Sequence, residues 1–171
     1  LTISQNQITN KSDKGIYLES YCDYATIDSN SISNNSSHGI YINQNNENVT
    51  IQNNIISNNS SIGIYFNYYN HGSTIQNNTI SGHSSRGIYF DYYNYGNIID
   101  NLIYNNGEYG IRLNYVNYGD CVVRNNTIDG HTEYGLYWHS NSSSQYTLDA
   151  TNNSITNNVT GIYCSNGGDY N

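Results

Sequence analysis

The 171-residue sequence contains no proline and no methionine, and it has only five Lys plus Arg and three cysteines. Each shortage excludes something. Without proline, nothing interrupts the backbone donors of a continuous strand ladder. A nucleic-acid groove needs clustered Lys and Arg to neutralise phosphates. With five such residues and a net charge of −8, this chain cannot build one. No apolar run approaches the roughly 18 residues that a membrane-spanning helix requires. Cys22, Cys121 and Cys164 share no short spacing, and an odd number cannot all pair internally. They are expected to be free thiols, with neither a disulfide framework nor a metal site, and no cofactor is expected. The chain opens at Leu1 already inside a repeat, with no signal peptide. It is therefore expected to be a mature product or a piece of something longer.

What is abundant is asparagine, at about a fifth of the chain, and tyrosine, with 20 copies. Such a polar chain could be disordered, but its apolar residues recur in fixed columns. The stretch Val49 to Phe66 returns 24 positions later as Ser73 to Phe90, and 24 positions earlier as Ala25 to Ile42. A period of this size marks a repeat architecture. Seven turns start near residues 1, 25, 49, 73, 97, 121 and 145 of one domain spanning 1–171. A glycine precedes the third segment of each turn: Gly15, Gly39, Gly63, Gly87, Gly110, Gly135 and Gly161.

Every turn holds three short segments that alternate with period two, which predicts strands. The first apolar column reads Ile3, Ile27, Ile51, Ile75, Ile99, Val123 and Leu148. The second reads Ile8, Ile32, Ile56, Ile80, Ile103, Ile128 and Ile155. The third segment supplies two columns, one from Ile16 to Ile162 and one through Leu18, Ile42, Phe66, Phe90, Leu113, Trp138 and Cys164. Segments this short cannot form a sheet locally. They must pair with their copies in the next turn, which gives an all-β coil with three parallel sheets, a single-stranded parallel β-helix. At roughly 4.8 Å per turn it would be a rod a little over 30 Å long. Asn6, Asn30, Asn54, Asn78, Asn101, Asn126 and Asn153 always stand two residues before the second-column apolar residue. Identical amides stacked at strand spacing donate one way and accept the other, so this column is expected to be a structural ladder at a tight bend.

The N-x-I and G-I-Y patterns resemble the right-handed parallel β-helix repeats of the pectate-lyase-like superfamily. They are most similar to the short repeats of carbohydrate-binding, sugar-hydrolase and surface proteins. The resemblance covers nearly the whole chain and implies the right hand, in agreement with the crossover rule. It is poor for function, because that superfamily includes lyases, hydrolases, epimerases and non-catalytic modules.

Outward positions are where chemistry can sit. Tyr17, Tyr41, Tyr65, Tyr89, Tyr137 and Tyr163 lie between the two inward columns of the third segment, interrupted by Arg112. The following turn adds Tyr68, Tyr92 and Tyr115. Neighbouring aromatics stabilise adjacent strands, which alone would account for the column. A flat tyrosine surface is also a platform for sugar rings or for another protein. Enzymes of the superfamily cut or epimerise polyuronides with clustered carboxylates and a basic partner. The candidates here are Asp91, Arg112 and His139 on successive turns: Arg112 in the tyrosine column, Asp91 and His139 in a neighbouring column that otherwise drifts among polar residues. Three readings are open: a non-catalytic structural or adhesive solenoid at the cell surface or outside the cell, self-associating end to end into filaments; a glycan-binding module; or a polysaccharide lyase, hydrolase or epimerase. The repetitive surface and lack of long loops favour the first.

Overall fold

The computed structural model describes residues 1–116, 119–141 and 146–167. Among them there is no helix, and three seven-stranded parallel sheets run the length of the molecule. Sheet A stacks Thr2–Ser4, Thr26–Asp28, Thr50–Gln52, Ser73–Gln76, Gly96–Ile99, Cys121–Arg124 and Leu148–Thr151. Sheet B stacks Gln7–Thr9, Ser31–Ser33, Ile55–Ser57, Thr79–Ser81, Leu102–Tyr104, Thr127–Asp129 and Ser154–Thr156. Sheet C stacks Ile16–Ser20, Ile40–Gln44, Ile64–Tyr68, Arg86–Phe90, Tyr109–Asn114, Tyr134–Asn141 and Thr160–Gly167. The chain thus visits A, B and C once per turn, and each strand pairs with its copy one turn away. The seventh start near Gln145 lies outside the described residues.

The inward columns form the core. Ile27, Ile51, Ile75, Ile56, Ile80, Ile64, Ile88, Phe66 and Phe90 are all fully buried. Phe66 and Phe90 meet edge to face, with centroids 4.8 Å apart. The thiols of Cys22, Cys121 and Cys164 are free.

The first column departs from the sequence reading in two places. Ile75 pairs with Ile98, not Ile99, and Ile98 pairs with Val123. Ile99 faces outward opposite Gln76 and Arg124. The reason is that this turn is one residue shorter before Gly96, which stands opposite Ser73. Val123 pairs in turn with Ala150, and Leu148 sits opposite Cys121. The last turn is therefore longer before Leu148, and Ala150 fills the inward position.

Three ladders, not one, close the bends. At the corner between sheets A and B, each amide of the expected column accepts from the previous turn and donates onward. Asn54 Nδ2 donates to Asn78 Oδ1 at 3.0 Å, and Asn78 Nδ2 to Asn101 Oδ1 at 3.0 Å. The chain of contacts runs from Asn6 to Asn153. Between sheets B and C a second ladder uses Asn35, Asn59, His83, Asn106, His131 and Asn158. A shorter third, between C and A, links Asn46, Asn70 and Asn94. The residue before most ladder positions adopts a left-handed backbone, as at Asn34, Asn53, Asn58, Asn77, Asn105 and Asn125. Asparagine tolerates that conformation better than other side chains with a Cβ. This is why Asn-Asn pairs recur: the first turns the chain, and the second fills the ladder.

The two ladder histidines carry a pH dependence. His83 Nδ1 accepts from the Asn59 N–H at 3.2 Å, and His131 Nδ1 from the Asn106 N–H at 3.2 Å. That role requires the neutral ring. Burial pushes the His83 pKa down from 6.5 to about 4 and lowers that of His131. Their folded pKa lies below the unfolded one, so the unfolded chain binds more protons in between. The stability they support is intact above about pH 6.5 and falls as pH drops toward 4. The loss is on the order of 1–3 kcal/mol for a buried histidine shifted this far. His38, pushed down to about 4 by burial and then by Lys14, adds to the same window. Replacing His83 and His131 by Asn should flatten the part due to the ladder. Urea midpoints measured from pH 7 to 4.5 check this; parallel profiles for parent and variant would rule it out.

Candidate functional site

The outer face of sheet C and the corner that follows it hold most of the aromatic surface. Along strand Ile64–Tyr68, Ile64 and Phe66 point in, while Tyr65 and Asn67 point out and Tyr68 ends the strand at the surface. The copies of these residues make three parallel columns.

In the first column, Tyr17, Tyr41, Tyr65 and Tyr89 stack with centroid spacings of 5.3, 5.0 and 5.2 Å. Arg112 continues it, its guanidinium 5.3 Å from the Tyr89 centroid and 5.2 Å from that of Tyr137. Tyr137 and Tyr163 complete it at 4.9 Å. Each inner ring has a neighbour on both faces, so ring edges and hydroxyls are what the column presents to solvent. Beside it stand Lys14, His38, Arg86, Tyr109 and Tyr134, which lean on the same rings.

The column on the other side is Tyr68, Tyr92 and Tyr115, stacked within 6° at 4.9 Å. Tyr69 and Tyr93 form a parallel pair next to it at 4.9 Å. Tyr69, Tyr93 and Tyr115 hold left-handed backbones with φ of 55°, 62° and 52°. That conformation costs a bulky residue about 1–2 kcal/mol. The turn geometry and the tyrosine stack are thus kept at the expense of local strain.

Between the two lies a polar column, Glu19, Asn43, Asn67, Asp91, Asn114, His139 and Ser165. It is wired internally. Tyr41 Oη donates to Asn43 Oδ1 at 3.2 Å, and Tyr65 Oη contacts Asn67 Oδ1 at 3.0 Å and Asp91 Oδ2 at 3.1 Å. Asn67 Nδ2 donates to Asn43 at 3.0 Å, and Asn114 Nδ2 to Asp91 Oδ1 at 3.2 Å. Burial, and then the Asp91 carboxylate, push the Tyr65 phenol well above its ordinary range; burial and the hydrogen bond to Asp91 do the same to Tyr89. These hydroxyls stay protonated and serve as donors.

The three candidate catalytic residues occupy this face without forming one unit. Asp91 is held by Tyr65 and Asn114. Arg112 is wedged among Tyr89, Tyr109 and Tyr137. His139 Nδ1 lies 2.7 Å from Ser165 Oγ and meets Tyr115 edge to face. No hydrogen bond or ion pair joins any two of them. Among the described residues no group of acidic, His or Cys side chains is arranged to hold a metal. The flanking Lys14, Arg86 and Tyr109 were not singled out from sequence. Their spacing, three residues before the outward tyrosine or arginine column position of each turn, was the available signal.

The family model for the right handed beta helix region matches residues 1–151. The chain belongs to that family. Among solved structures, this β-helix is similar to the A-module of the mannuronan C-5 epimerase AlgE4 of Azotobacter vinelandii, with a TM-score of 0.58 and 16% identity. The match covers 100% of this β-helix and 57% of that module, and at this identity it speaks for the fold. No curated protein matches significantly.

Proposed function

We propose that this β-helix is a non-catalytic, extracellular or cell-surface module that binds an extended polysaccharide lying along its axis over sheet C. The observation that carries the reading is the polar column flanked by two tyrosine stacks. Tyrosine hydroxyls and polar side chains recur from turn to turn at the strand spacing of roughly 4.8 Å, about the length of one sugar unit. A polymer of identical units can meet such a row in register, gaining a modest contact at every turn. The fold's likeness to a carbohydrate-modifying module supports a carbohydrate ligand. The separation of Asp91, Arg112 and His139 speaks for binding without chemistry, because general acid–base work needs the groups within hydrogen-bond reach of one reacting centre.

Affinity electrophoresis in a panel of soluble neutral and acidic polysaccharides tests this. Tyr92→Ala and Asn67→Ala should weaken retardation by about tenfold, the scale of a binding hot spot. Gln52→Ala, on the outer face of sheet A, should leave it unchanged. If no polymer retards the parent protein, the reading fails.

A second reading is head-to-tail self-association as a structural solenoid, with Val159, 80% exposed, and Ile162, 51% exposed, as apolar contacts. Sedimentation over a range of concentrations checks it; a constant monomer mass excludes it.

A further inference from the structure

We infer that the ligand of sheet C is a neutral, hydroxyl-rich polysaccharide and not a polyuronate. This rests on the polysaccharide-binding reading above and names the chemical class that the site takes.

The face and its flanks hold Lys14, Arg86 and Arg112 as cations, against Asp13, Glu19, Asp91, Glu108 and Glu133 as carboxylates. Lys14 is paired with Asp13 at 2.9 Å, and Arg86 with Glu108 at 3.0 Å. Arg112 has no carboxylate partner, but its planar group is covered by Tyr89 and Tyr137, and its Nε is buried without a hydrogen bond. Its charge is shared with the rings on both of its faces, and the residue is only part-exposed. The chain as a whole carries a net charge of −8, so the field at this face repels a polyanion before contact is made.

The polar column points the same way. Asp91 stands in its middle, with Oδ1 taken by Asn114 and Oδ2 by Tyr65. The spare lone pairs of a carboxylate accept only from donors. Sugar hydroxyls supply donors along the whole polymer, whereas a uronate carboxylate would place like charge beside Asp91. Asn43, Asn67 and Asn114 add amides that both donate and accept, which suits hydroxyls in either role. Tyr65 and Tyr89 remain neutral phenols, as their raised pKa values require.

The experiment compares one neutral polymer, a soluble β-glucan, with one polyuronate, alginate of matched length, by affinity electrophoresis at low and high salt. The β-glucan should retard the protein at both salt concentrations, at least about tenfold more strongly than alginate at low salt, where repulsion is unscreened. Asp91→Asn, checked for an unchanged melting temperature, should narrow that gap by strengthening alginate binding. Alginate binding as tight as glucan binding at low salt, and lost on Arg112→Gln, would overturn the inference while leaving the polysaccharide reading intact. Binding of neither polymer would overturn the β-glucan preference, and the polysaccharide reading falls with it only if the whole panel also fails to bind. Equal binding of both that is indifferent to salt and to Asp91→Asn would likewise refute the neutral preference.

Discussion

Replacing Gly63 by alanine is expected to cost about 3 kcal/mol or more, or to prevent folding, the upper range for overpacking a fixed site. A Cβ there would lie 2.6 Å from the Gly87 carbonyl oxygen, 2.7 Å from Ile80 Cγ2 and 2.8 Å from His83 Cδ2. The first of these is backbone inside a parallel ladder and cannot swing aside. The second is a core side chain with its χ1 confined by branching. The third belongs to the ladder between sheets B and C. Gly15, Gly39, Gly87, Gly110 and Gly135 face the same trio of neighbours one turn on. The glycine column is thus a matter of space between turns. Gly161 provides the control, since its added Cβ would meet only Ile155 Cγ2, at 3.8 Å. Gly161→Ala should stay within about 0.5 kcal/mol of the parent, like an ordinary surface change. Denaturant midpoints for the two variants decide the matter, and equal midpoints would refute this account of the column.

The second large effect is expected at Asn78. Its Oδ1 accepts from both Asn54 N and Asn54 Nδ2, at 2.9 and 3.0 Å. Its Nδ2 donates to Ile51 O, Gln76 O and Asn101 Oδ1. Alanine would strand a buried N–H and deprive two buried carbonyls of a donor, and each such orphan costs about 1–3 kcal/mol. We expect about 3 kcal/mol for Asn78→Ala, since relaxation recovers part of the sum. The neighbouring Asn77 is exposed, with φ of 56°, and makes no ladder contact. Asn77→Gly should be close to neutral, because glycine adopts that backbone freely. If both variants melted alike, the ladder would not be what closes the bend.

Most of the fold was legible because the period is strict. Each inward isoleucine of the second and third segments, and each asparagine of the first ladder, lies where spacing alone puts it. The first column failed at Ile99 and Leu148 for a local reason. Near both sites two apolar residues stand close enough for either to fill the column, and only the position of a missing or added residue chooses between them. The second ladder was hidden because histidine replaces asparagine at His83 and His131. A ring nitrogen and an amide oxygen do the same work there, yet composition treats them as unrelated. The site was legible as columns but not as geometry. Spacing placed Tyr41, Tyr65 and Tyr89 in one line. Stacking down one face followed from that line, but spacing could not tell that the rings would turn their edges outward, nor that Arg112 would be enclosed by them. Those outcomes depend on rotamers, which a period does not encode.

The three corners are not equally forgiving of chain length. From Ile27 to Ile32, from Ile98 to Ile103 and from Ala150 to Ile155, the bend between sheets A and B has one fixed span. The corner after sheet C does not. Relative to the stretch from Phe66 to Ile75, that from Phe90 to Ile98 is one residue shorter, that from Leu113 to Val123 one longer, and that from Trp138 to Ala150 three longer. The paired strands on either side keep their register through all of these changes. New sequence can therefore enter a lineage of such proteins at this corner without refolding the rod. It would emerge beside Tyr68, Tyr92 and Tyr115, so that the proposed binding surface can diversify while the scaffold is inherited unchanged.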